Sequence, residues 1–181
     1  MNYTSKLKYA AGLLLAAVVL LTTPKASASL TTESRAALRQ LVAQNPAASK
    51  VSQNAIAVLV FPNVVKAGFI FGGQGGEGIL FVHGQRAGHY RTFAASYGLQ
   101  AGVQRYGYAL FFMNQRAVAW VNAARGWSIG SAPSVVFVDK GAARTISSET
   151  LHSGIYAFDF DQQGLMAGLG IQGSKIERIG D

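Results

Sequence analysis

The sequence predicts an α+β fold: two short N-terminal helices, a further helix near residues 114–124, and a mostly antiparallel sheet of roughly eight strands in a sandwich or partial barrel. Three observations carry this. Apolar runs such as Ile56–Phe61, Val64–Phe71 and Ile79–Val82 are short, β-rich and separated by glycine or proline. Two stretches place apolar residues on one arc at 100° per residue, Leu38/Leu41/Val42 and Ala117/Val118/Val121. Half of the 181 residues are hydrophobic and 13% are charged, enough apolar material for one sizeable core and too little charge for a disordered chain.

In chain order, the first 28 residues read as a secretory leader. Lys6 and Lys8 form the basic start, Ala10–Leu21 the apolar stretch, and Ala26-Ser27-Ala28 an A-x-A cleavage site before Ser29. The apolar run is shorter than the ~20 residues of a membrane span. The expected organisation is therefore a leader over 1–28 and one domain over 29–181. Localisation is expected to be exported: periplasmic, associated with an outer membrane, or secreted. There is no cysteine, which excludes disulfides, thiolate metal sites and lipid attachment through an N-terminal cysteine. Without the leader's three lysines, 13 basic and 8 acidic residues remain. This balance suits an anionic surface, but no dense basic cluster points to nucleic acid.

Thr31 or Thr32 is the expected cap of the first helix, with Glu33 in its first turn. Arg35 and Arg39 flank its apolar arc. They are either the solvated flank of a helix packed on the sheet, or the phosphate partners of a helix whose Leu38, Leu41 and Val42 meet acyl chains. Asn45-Pro46 ends this helix and starts another, to about Gln53.

The strand pattern then breaks at Phe61-Pro62-Asn63, resumes, and meets GGQGGEG, Gly72 to Gly78, before Ile79. Five glycines in seven residues mark a special turn or a close backbone approach. Gln85–Gly88 reads as a turn, His89–Phe93 and Ser96–Gln104 as strands, Tyr106-Gly107 as another turn, and Tyr108–Met113 as a strand. Asn114 caps the third helix. Trp127–Gly130 reads as extended, Ser134–Val138 and Ile155–Phe160 as strands, and Asp139–Leu151 as a surface loop or hairpin. Gly98 with Gly102, and Gly164 with Gly168 and Gly170, would leave one strand face bare.

Several of these stretches together resemble the SYLF domain, or Ysc-type actin-binding domain, from about Ala36 to Ile179. They are Phe61-Pro62; Val65-Lys66-Ala67-Gly68-Phe69; Gly76-Glu77-Gly78; Ser96 through Gly98-Leu99-Gln100-Ala101-Gly102-Val103-Gln104; and Gly164-Leu165-Met166-Ala167-Gly168. The closing segment departs from the family pattern at Gln172, where a glutamate is usual. The resemblance implies a binding module. Eukaryotic members bind phosphoinositides and, in yeast, actin. For an exported bacterial chain the resemblance implies anionic lipid or a related envelope amphiphile, with Lys66 as a second basic contact, and not actin.

Catalytic groups are sparse. His83, His89 and His152 have no metal-ligand spacing, and G-x-S-x-G is absent. Asp159 and Asp161 fit a solvated strand end. The glycine turn lacks the Gly-Lys-Ser/Thr of a nucleotide loop. Glu77 would repel an anion unless paired, and Lys66 is either its counter-charge or a ligand contact. No enzyme, cofactor or metal is expected. The alternatives are a structural or host-interaction envelope protein without a small ligand, and a small outer-membrane β-barrel.

Overall fold

A computed structural model describes residues 24–122, 127–128, 135–138, 154–164 and 174–181. The leader up to residue 23, the expected loop over Asp139–Leu151, His152, Gly168 and Gln172 lie outside them. The chain begins with α1 (Pro24–Gln44) and α2 (Pro46–Asn54). β1 (Ala57–Val82) and β2 (Gln85–Phe112) follow, then α3 (Gln115–Val121), β3 (Trp127–Ser128), β4 (Val135–Phe137), β5 (Ile155–Gly164) and β6 (Lys175–Gly180).

The α+β class holds, but the strands number six among the described residues, in one open sheet ordered β3-β6-β2-β5-β4, with β1 on the other edge of β2. Eight were expected because local breaks were read as turns. The three runs from Ile56 to Val82 belong to one 26-residue strand, and the runs from Gln85 to Phe112 to one of 28. Pro62 does not end β1; it sits in a register shift between Phe61 and Val64, where a missing N–H leaves no rung unmade. Tyr106-Gly107 is likewise a ladder irregularity, between Arg105 and Gly107 against β5. The real turn is His83-Gly84, with φ of 47° and 76°. Two residues at positive φ match the twist of the flanking strands, as a two-residue hairpin requires. Gln85–Gly88, expected as the turn, pairs with Leu80–Val82 instead. The ladder steps from Ala101 to Gly98 opposite Phe69–Ile70, so Gly98 and Gly102 do not share a face by simple alternation.

The long hairpin curls back on itself. His83 N–H donates to the carbonyl of Ile56 at 3.1 Å, joining the far end of β1 to its beginning. A Cβ on Gly76 would lie 2.6 Å from the Asn63 carbonyl oxygen, and one on Gly78 would lie 2.4 Å from that of Val60. The glycine run is therefore extended strand, stripped of side chains where it crosses the first third of the same strand.

Curling gives the sheet two buried faces. On the concave side Leu59, Phe61, Val64, Leu80, Tyr90, Tyr108, Leu110 and Phe112 pack with Ala117, Val118 and Val121 of α3. Asn114 Oδ1 accepts from Ala117 N–H at 2.9 Å and sets the start of that helix. On the convex side Val60, Ile79, Phe81, Ala109, Phe111 and Phe158 meet α1 and α2. Each fully buried large apolar side chain contributes about 1.5–3 kcal/mol. Asn45 joins the two helices as expected: its side chain accepts from the N–H groups of Ala47 and Ala48, with Pro46 following as the first helical residue. α1 starts earlier than the sequence suggested. Thr31 and Thr32 lie inside it, and the Thr32 hydroxyl bonds back to the Ala28 carbonyl at 3.1 Å, a mid-helix arrangement.

Candidate functional site

Where α1 and α2 cross the convex face, they leave a groove of about 440 Å³. Its floor is Val58, Phe81 and Phe111; one wall is Leu38, Arg39, Val42 and Ala43 of α1; Ser52, Ala55 and Ile56 close the α2 side. His83 and Gly84, at the hairpin turn, form the remaining rim. The size suits a small-molecule site, and the lining is predominantly apolar. Its ionisable members are Arg39, which is exposed, and His83; no carboxylate lines it.

The arc read from α1 divides in two. Leu41 is 4% exposed and belongs to the convex core. Leu38 and Val42 pack against that core only in part, and their remaining surface lines the groove. The helix is thus packed on the sheet and does not present all three apolar residues outward. Arg35 is half-buried, its guanidinium 4.7 Å from the centre of the Phe81 ring, so it braces α1 against the sheet. Arg39, one turn on, keeps its charge in solvent at the groove.

Lys66 is not part of this site. Its register partner is Gln104, and it follows Val64 by two residues along the concave face, opposite α1. The residue is buried, with no carboxylate in ion-pair range among the described residues. Glu77 pairs instead with His89, at 3.1 Å across the hairpin. These two sit diagonally on the ladder, on the convex side, so a Lys66–Glu77 brace does not form. On the concave side the Tyr106 hydroxyl donates to Gln74 Oε1 at 3.0 Å, and Gln74 Nε2 donates to Ser174 Oγ at 2.7 Å. Burial, with Asp159 nearby, pushes the Tyr106 hydroxyl well above the ordinary phenol range, so it remains a donor. Asp161, expected as a solvated strand end, is exposed at φ 51° and accepts from Gln40 of α1 at 3.4 Å. Among the motif glycines, Gly68 faces Gly102 across the ladder, and Gly164 ends β5 opposite Gln104.

The residues that sequence reasoning missed are Ala43 of α1 and, from outside it, Ser52, Ala55, Phe81, Phe111 and above all His83. The one available signal was His83-Gly84 itself, an X-Gly pair directly after the apolar run Ile79–Val82.

In a comparison with known families, residues 93–181 fit the family model of the Las17-binding protein actin regulator, Ysc84. That stretch matches the SYLF family that the sequence resembles. The match takes in most of β2, α3 and every later strand among the described residues, the frame on which β1 is hung. No curated protein matches the chain. The groove lies mostly ahead of the matched SYLF stretch, and Phe111 of its floor lies within it.

Proposed function

We propose that this protein is an exported, non-enzymatic module that binds anionic lipid of a bacterial envelope through the groove between α1 and the hairpin. The observation that carries this is an apolar groove with an exposed guanidinium, Arg39, at its edge and no acidic residue in its lining. An acyl chain would lie against Leu38, Val42, Val58 and Phe111, and a negative headgroup would meet Arg39. Two further features support the reading. The SYLF family is lipid- or actin-associated, and the leader-like first 28 residues direct the chain away from cytosolic actin. Cleavage before Ser29 would remove five residues of α1 and leave Leu30, Leu38, Leu41 and Val42, which hold it to the sheet.

Vesicle co-sedimentation tests the reading. The protein is expected to pellet with phosphatidylglycerol vesicles, not with phosphatidylcholine, and to be released by salt. One basic residue at an anionic surface is worth about 1 kcal/mol, so Arg39→Glu is expected to weaken binding by fivefold or more without unfolding the protein. If Arg39→Glu sediments like the parent, the groove is not the lipid contact. If the parent binds neither vesicle, the protein is an envelope component without a lipid ligand.

A further inference from the structure

The groove has a second polar rim opposite α1. It is the two-residue turn, and a histidine occupies its first position with φ 47°. That left-handed backbone disfavours most L side chains, and hairpin turns of this kind take Asn, Asp or Gly there. His83 is exposed, and its backbone N–H is fixed to the Ile56 carbonyl, so the turn is tied to the start of β1 at the groove mouth. At about 30 Å³ for a water-sized group, 440 Å³ matches roughly fifteen such groups, the bulk of one acyl chain. No carboxylate lines the groove, and its other polar side chain, Ser52, already donates its hydroxyl to the Ser49 carbonyl at 2.8 Å.

We propose that the groove takes a single-chain anionic amphiphile, a fatty acid or a lysophospholipid. Its chain lies between α1 and β1, and its carboxylate or phosphate is held between Arg39 and His83. This rests on the lipid reading above and narrows it: the groove itself holds one acyl chain with its head, and a membrane surface meets only its rim at Arg39. It also gives a reason for a histidine in a strained turn position, as the residue that reads the head.

Calorimetric titration of the protein with sodium palmitate and with lysophosphatidylglycerol, both below micelle formation, tests the proposal beside inorganic phosphate and phosphatidylglycerol vesicles. One-to-one binding of a single-chain ligand is expected, with no measurable heat from phosphate alone. His83→Asn keeps a residue suited to positive φ and removes the imidazole; it is expected to weaken that binding five- to tenfold with the melting temperature unchanged or raised. His83→Gly serves as the second such variant. Ala43→Phe, which fills the groove from α1 without altering a charge, is expected to abolish it. Binding of vesicles but of neither single-chain ligand overturns the proposal and leaves the lipid reading standing; binding of neither removes both. Parent-like affinity in both His83 variants overturns the two-sided clamp. Phosphate binding as tightly as lysophosphatidylglycerol would show a site for a free anion and overturn the role of the chain.

Discussion

Gly78 shows how much one absent side chain can organise. Its backbone φ is not in the positive region, so any residue could adopt its conformation. What forbids a side chain is the strand beneath, with the Val60 carbonyl oxygen 2.4 Å and the Phe61 ring 2.6 Å from where a Cβ would stand. A backbone oxygen cannot rotate away as a side-chain tip can. Gly78→Ala is therefore expected to cost about 1–3 kcal/mol, as overpacking does in other cores. Gly73→Ala, whose Cβ would meet its nearest atom at an ordinary 3.6 Å, is expected to be nearly neutral. Thermal melts of the two variants check this; equal melting temperatures would mean the crossing is loose. The same residues show why the run was legible only as a signal. Five glycines in seven residues announced a constraint, but in the sequence its cause lies some fifteen residues upstream, at Val60 to Val64. Local reading supplies a turn where the contact is long-range.

Elements with their own punctuation were easier to read. Asn45-Pro46 and Asn114 carry their caps in the sequence, and α2 and α3 lie where those caps put them. The face of α3 was legible because Ala117, Val118 and Val121 follow a helical arc. β6 was not read at all, since Lys175-Ile176-Glu177-Arg178 offers one apolar residue in four. It is held by its neighbour. Ile176 is buried, and Glu177 accepts from Lys175 and from Arg91 of β2, each at 2.7 Å. Those hydrogen bonds, Lys175 first, hold the Glu177 carboxyl below its ordinary range. A carboxyl depressed in the folded state stabilises it fully above its unfolded value and loses that contribution as pH falls through the folded one. Glu177→Gln is thus expected to melt below the parent at neutral pH, with the gap closing as pH drops below about 4. A gap independent of pH would assign the effect to packing.

At the scale of the whole molecule, the groove is made by the hairpin's curl as much as by α1. Leu38, Arg39 and Val42 could be placed on a helix arc from sequence, but His83 and Phe81 reach them only because β1 turns back on its own start. The pairing order of that hairpin has a temporal side. Its rungs join residues ever farther apart, from Val82–Gln85 beside the turn to Ala57–Phe112, 55 residues apart at the open end. Closing the distant rungs first would carry the full loop entropy, whereas zipping from the turn adds it in small steps. The rim at His83 would then form early, and the wall at Ile56 and Ala57 last. In stopped-flow folding, Val82→Ala is expected to slow folding, and Ala57→Gly chiefly to speed unfolding. The reverse pattern would mean that the strand ends meet before the turn. A chain that zips in this direction completes this groove only with its final rungs, so an occupant of the groove would act as a latch on the last step of folding.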